Sequence, residues 1–149
     1  MIGDRCLKHI SSGTDNNSYL GTSYNVRLKP STKYIVSYYA KASAGTPEVE
    51  AAIQQDNGIF KAPASYDSIT TSWVRYEDII ETDANLTSSG KILLHTHVSG
   101  LTIWFDAIQV EEASAAASPE ASAYKPSGTV EIHGGQIEAE TITAGKILT

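Results

Sequence analysis

The chain of 149 residues has one cysteine, one methionine and only 19% charged residues. A lone cysteine, Cys6, excludes an internal disulfide, and a domain of this length does not need one to bury a core. No run of roughly 18 apolar residues occurs, so we expect no membrane insertion, and no apolar export signal follows Met1. The net charge of −6 opposes binding to phosphate backbones, so nucleic acid is not an expected partner.

Motifs of catalysis are also missing. The sequence contains no Gly-x-Ser-x-Gly elbow, no phosphate-binding loop and no His-Glu-x-x-His. Carboxylates are present, but a glycosidase needs two of them at a defined separation across a cleft. We therefore expect a protein that is not an enzyme.

Alternating apolar and polar residues predict an all-β chain. In the clearest strand, 33–43, Tyr34, Val36, Tyr38 and Ala40 share one face, which is expected to point inward. Turn signals recur about every 10 residues, which is typical of a jelly-roll β-sandwich. We predict an irregular loop over 61–72 and a hairpin across Ser99-Gly100. The other predicted strands are 4–10, 24–29, 48–55, 73–82, 91–98 and 101–112.

The composition changes after residue 112. We assign 1–112 to the sandwich and 113–128, which is rich in Ala and Ser, to an extended strap or linker. The segment 129–149 carries isoleucines at a constant spacing of five, which fits neither a helix nor a flat strand. Such a row is buried when chains wrap around a common axis, so we predict a short intertwined β-stalk in a homotrimer. A C-terminal hairpin packed on the same domain is the alternative. The predicted oligomerisation residues are Ile132, Ile137, Ile142 and Ile147.

Three segments resemble the strands of jelly-roll carbohydrate-binding modules of families 4 and 9. They are LKPSTKYIVSYYAKAS, TTSWVRYEDIIET and GLTIWFDAIQVEE, in that order. The resemblance covers roughly residues 6–127 and implies a noncatalytic, sugar-binding sandwich. The chain departs from the family pattern at its start, because no "N-G-x-F-E" strand precedes the first match.

A second resemblance lies in the last segment. GTVEIHGGQIEAETITAGKI is similar to runs between the domains of bacteriophage tail-tip and tail-fibre proteins of the host-specificity type. This resemblance implies a virion protein that is assembled in the host cytoplasm and acts extracellularly. Its partners would be other copies of itself, other phage tail proteins and a bacterial surface polysaccharide.

Sugar binding needs aromatic rings for the C–H faces of the sugar and polar groups for its hydroxyls. Trp73 and Trp104 could supply rings, but we expect both of them to fill the core. Tyr39 is the first candidate ring, because it lies on the face of strand 33–43 opposite Tyr34 and Tyr38. The candidate glycan-binding residues are Tyr39, Gln54, Arg75, Glu77, His95 and His97.

The sequence offers two candidate metal sites. His95 and His97 share one strand face and could hold zinc if Glu77 or Asp78 supplied a third ligand, although a solvent-facing pair without metal is more common. The carbohydrate-binding-module resemblance implies a structural calcium ion at Asp106, and Glu111 or Glu112 is the candidate for a further ligand. Backbone N–H groups or an arginine could satisfy Asp106 instead. Apart from calcium, we expect no cofactor.

Three functions remain under consideration. The first is attachment to a host-surface glycan, with trimeric avidity. The second is a structural spacer or decoration of the tail tip, without sugar binding. The third is an accessory module of a secreted glycoside hydrolase.

Overall fold

The computed structural model describes residues 6–11, 18–22, 25–116 and 118–124. Within these ranges all the regular structure is β-strand, and no helix in them is long and apolar enough to cross a membrane. The all-β prediction is thereby confirmed. The strands are β1 (Leu7–Ile10), β2 (Ser18–Gly21), β3 (Val26–Arg27), β4 (Lys33–Ala42), β5 (Glu48–Gln55), β6 (Phe60–Lys61), β7 (Asp67–Ser68), β8 (Val74–Glu81), β9 (Ser89–Thr96) and β10 (Thr102–Glu112).

Two antiparallel sheets form a sandwich. Sheet I has the strand order β1-β10-β4-β8, and sheet II has the order β2-β9-β5-β6, with β3 also paired to β9 and β7 also paired to β5. The hairpin predicted across Ser99-Gly100 is wrong, because β9 lies in sheet II and β10 in sheet I. Gly100, with φ of 75°, lies in the connection that takes the chain from one sheet to the other. Alternation locates a strand but does not name its partner.

Short edge strands were missed. The predicted loop 61–72 contains the second residue of β6 and both residues of β7, and both strands pair with β5. β2, which pairs with β9, was assigned to no element. Strands of two to four residues give too few alternations for a sequence pattern to detect.

The core lies between the sheets, as the alternation in β4 predicts. Tyr34, Val36, Tyr38 and Ala40 are all buried there. The Tyr38 ring stacks on Tyr76, with 5.9 Å between ring centroids, and meets the edge of another buried aromatic ring at the same distance. This second ring belongs to Phe105 of β10.

The two tryptophans do not fill the core, contrary to our expectation. Trp104 is paired with Lys41 in the sheet, so both side chains leave the face of sheet I that is turned away from the core. The Lys41 ammonium lies 5.0 Å from the Trp104 ring centroid and 5.3 Å from that of Trp73. These distances are typical of cation–π contacts.

The segment after β10 lies across the outer face of sheet I. Ser122 donates its N–H and hydroxyl to the Glu111 carboxylate, and Arg75 donates to the Ser122 carbonyl. The Ala121 N–H donates to Glu77 at 3.0 Å.

The division into 1–112, 113–128 and 129–149 stays a prediction. The stalk segment, with Ile132, Ile137, Ile142 and Ile147, lies outside the described residues.

Thr82 fastens the end of β8 to the turn before β4. Its buried hydroxyl donates to the Lys29 carbonyl at 2.7 Å and accepts the Thr32 N–H at 3.0 Å. We expect Thr82→Val to lower the free energy of unfolding by about 1–3 kcal/mol, because it leaves buried polar groups without partners. Urea unfolding measures the loss. The exposed Thr71→Val is the control, and equal losses in both variants would contradict this role.

Candidate functional site

The candidate site lies on the outer face of sheet II, where β5 and β9 pair. Val49, Ala51 and Ile53 of β5 enter the core, so the residues between them point outward. Glu50 is aligned with His95 across the strand pair, and Gln54 is aligned with a lysine, Lys91. The register thus places a carboxylate and an imidazole side by side.

Glu50 is the centre of a polar cluster. Its Oε1 atom lies 3.1 Å from His95 Nδ1 and 3.2 Å from His97 Nε2. The two imidazole centroids are 4.3 Å apart. Glu50 itself is only 5% exposed, so its carboxylate depends on such partners for stability in the folded state.

Three exposed aromatic rings surround this cluster. Tyr19 of β2 and Phe60 of β6 each form a T-shaped ring pair with His95, and the ring centroids of Tyr66 and His97 are 4.2 Å apart. Their exposed fractions are 65%, 47% and 50% for Tyr19, Phe60 and Tyr66. We call these rings, with Glu50 and the two histidines, the sheet II platform. Large rings grouped on one exposed surface are typical of a binding surface.

Two further carboxyl groups belong to Asp78 and Asp67, and the charges of Glu50 and Asp67 both act on Asp78. Asp78 of β8 accepts the Ala51 N–H at 2.6 Å, and Asp67 accepts the Tyr38 hydroxyl at 2.8 Å. Burial raises the pKa of Asp78 to about 7; the Ala51 N–H opposes this shift, and the Asp67 and Glu50 carboxylates add to it. Burial also raises the pKa of Asp67. The Asp78 carboxyl therefore favours its protonated form up to near-neutral pH.

The six predicted glycan-binding residues divide between two surfaces. Gln54, His95 and His97 lie on the outer face of sheet II. Tyr39, Arg75 and Glu77 belong to β4 and β8 of sheet I, where Arg75 and Glu77 contact the segment after β10. The six do not form one site, and their role in binding stays a prediction.

The expected third ligand for the histidine pair was wrong. Glu77 belongs to the other sheet, and Asp78 bonds to the backbone of β5. Glu50 lies beside both histidines instead. The strand spacing showed that His95 and His97 share a face, but only the register of β5 against β9 identifies their neighbour.

The predicted calcium ligands lie on sheet I. Asp106 is buried, and its Oδ1 accepts the Ala107 N–H at 2.8 Å, at an irregularity in the pairing of β10 with β4. Ala107 has a φ of 49°, in the left-handed region. The Glu111 carboxylate accepts hydrogen bonds from Gln109 and Ser122. The calcium ion stays a prediction.

Sequence reasoning missed all three rings of the platform. For Phe60 a signal was available, because Asp56-Asn57-Gly58 after β5 is a strong hairpin signal. A hairpin there brings Phe60 opposite Gln54, as observed. Tyr19 and Tyr66 carried no comparable signal, since one lies in a short strand and the other in a loop.

No known protein family and no curated protein matches the chain. Solved structures do. One, described as "CBM4 structure and function", is 15% identical, covers 72% of this chain and 82% of its own, and has a TM-score of 0.50. Another, a putative sugar binding protein from Bacteroides thetaiotaomicron VPI-5482, is 14% identical, covers 72% and 75%, and has a TM-score of 0.50. These likenesses show the fold, a β-sandwich matching the jelly roll of carbohydrate-binding modules.

Proposed function

We propose that the chain is a noncatalytic carbohydrate-binding module whose sheet II platform binds a bacterial surface polysaccharide. The observation that carries the proposal is the group of exposed rings around a polar cluster on one face of a sheet. The fold of the solved structures described above gives further support.

The chemistry of the platform suits a sugar. Pyranose rings present C–H faces, which stack on aromatic side chains, and hydroxyls, which need both donors and acceptors. The rings of Tyr19, Phe60 and Tyr66 offer the first kind of contact. Gln54 and Lys91, which are both exposed next to them, offer the second. An open face of this kind favours weak binding at a single site.

The setting we propose is a phage tail fibre or tail tip. It rests on the likeness of the segment 129–149 to tail-protein runs and on its regularly spaced isoleucines. In a homotrimer, three weak sites on one particle would bind a repetitive polysaccharide with far higher avidity than one. In this proposal the trimer is assembled in the host cytoplasm, joins other tail proteins in the virion, and acts outside the cell.

An array of bacterial surface polysaccharides, probed with the purified chain, tests this function. We expect saturable binding that Tyr66→Ala weakens at least ~10-fold, because the variant removes a half-exposed ring from the platform. Tyr39→Ala is the matched control on sheet I and should leave binding unchanged. Analytical ultracentrifugation of the same sample should give the mass of three 16.0 kDa chains.

Three results would point elsewhere. Binding that Tyr39→Ala weakens and Tyr66→Ala does not would move the site to sheet I. A trimer that binds no envelope sugar would favour the structural spacer. Binding only to plant or algal polysaccharides, by a monomer, would favour an accessory module of a glycoside hydrolase.

A further inference from the structure

Three metal-ligating atoms converge on the sheet II platform. Glu50, His95 and His97 each offer one ligand atom, and these three atoms lie within 4.8 Å of one another. Glu50 Oε1 is 3.1 Å from His95 Nδ1 and 3.2 Å from His97 Nε2. In a tetrahedral zinc site with bonds of about 2.0–2.1 Å, neighbouring ligand atoms are about 3.3 Å apart. The carboxylate–imidazole spacings are already close to that value.

The residue types select the metal. Two imidazoles and one carboxylate are a common protein ligand set for Zn²⁺, and they leave one coordination position for water. Calcium takes about six to eight oxygen ligands, which a cluster with two nitrogens does not provide.

The electrostatics favour a cation at this point. Among the described residues, the ion-pair partners of the buried Glu50 carboxylate are the same two imidazoles, which carry no charge when neutral. The carboxyls of Glu50 and Asp67 each lie near enough to Asp78 for their repulsion to act on it. A bound divalent cation would compensate this concentration of acidic groups.

The imidazoles are also held in place and reachable. Tyr19 and Phe60 form T-shaped ring pairs with His95, and Tyr66 packs on His97. The side chains of His95 and His97 remain 16% and 19% exposed, so an ion can enter from solvent. Ligands held by packing lose little freedom when a metal binds.

We propose that Glu50, His95 and His97 bind one zinc ion, with its fourth position open to solvent on the platform. The inference rests on the ligand geometry and does not depend on sugar binding.

Isothermal titration calorimetry of the chelator-stripped, untagged full chain with ZnCl₂ tests the site. We expect one ion per chain, with the affinity lowered at least ~100-fold by His95→Ala or His97→Ala and at least ~10-fold by Glu50→Gln. The control is His9→Ala, since His9 bonds to Ser18. Co²⁺ in place of zinc should give the strong visible absorption of a four-coordinate ion.

Two results would overturn the proposal. One is the absence of saturable binding up to millimolar zinc, which would leave Glu50 as an acceptor of two imidazole N–H bonds only. The other is binding that persists in both platform histidine variants but disappears when one of the two remaining histidines of the sequence, His9 or His133, is replaced by alanine. Near-ultraviolet circular dichroism of each variant checks that its fold is intact. Because no sugar is present, neither outcome bears on glycan binding.

Discussion

Asp78→Asn is expected to stabilise the protein increasingly as the pH rises. The free energy of unfolding of the variant minus that of the unchanged chain should be about 2–4 kcal/mol larger at pH 8 than at pH 4. The side chain is 5% exposed, and burial raises its pKa from the ordinary 3.8 to about 7. Each pKa unit corresponds to about 1.4 kcal/mol between the two protonation states. Asparagine has nearly the same shape and keeps an oxygen that can accept the Ala51 N–H, but it never carries the charge.

The sign of this pH dependence follows from the linkage between proton binding and folding. With a raised pKa, the folded state binds the Asp78 proton more tightly than the unfolded state does. The stability from this group is fully present below pH 3.8 and is lost as the pH rises toward about 7. Urea unfolding of both proteins at intervals between pH 4 and pH 8, with a chelator present, measures the difference.

Glu81→Gln provides the control for Asp78→Asn. Glu81 is an exposed carboxylate on the same strand, β8, so its variant removes the same charge without relieving burial. We expect the stability difference of Glu81→Gln to change by less than about 0.5 kcal/mol over the same pH range. A flat profile for Asp78→Asn would show that water or a counter-ion reaches this carboxylate.

The position of Asp78 explains why a costly carboxyl is present. β5 pairs with β7 at Glu48 and Val49 and with β6 at Ile53 and Gln54, so on that edge Ala51 lies between two partner strands. Its N–H is buried and needs an acceptor. Asp78, from the edge strand of the opposite sheet, supplies the acceptor at 2.6 Å and links the two sheets.

Local pattern was enough to predict the longer strands but not the short edge strands or the arrangement of the sheets. In β4 the alternation of Tyr34, Val36, Tyr38 and Ala40 identified the core face, because side chains in a strand point to opposite sides in turn. The same rule applies to Trp104, which is paired with the outward-facing Lys41. We expected tryptophan in the core because its ring is large. The place of the residue in the alternation, and not the size of its ring, determines the face on which it lies.

The platform was less predictable, since it depends on contacts between distant parts of the chain. The spacing of His95 and His97 gave their shared face. Glu50 comes 45 residues earlier than His95, and its place beside them follows only from the register of two paired strands. Tyr19 and Tyr66 arrive from a four-residue strand and a loop, whose positions are set by tertiary packing.

Removing two platform rings together is expected to nearly abolish glycan binding. Tyr19→Ala with Phe60→Ala should weaken binding of a single-site oligosaccharide at least ~30-fold, which is about 2 kcal/mol, because aromatic anchors dominate such surfaces. Both rings are about half exposed or more, so their loss should change the free energy of unfolding little. Calorimetry with a short oligosaccharide taken from the array result measures the single site without avidity.

The control for this double variant is a pair of tryptophans on sheet I. Trp73→Ala with Trp104→Ala removes the two rings that pack around Lys41, an aromatic area at least as large, from the outer face of sheet I. We expect this pair to keep full affinity, because its rings already serve a contact within the fold. The opposite result, in which the tryptophan pair loses binding and the platform pair keeps it, would place the sugar on sheet I. Equal losses in both pairs would mean that neither surface is the specific site.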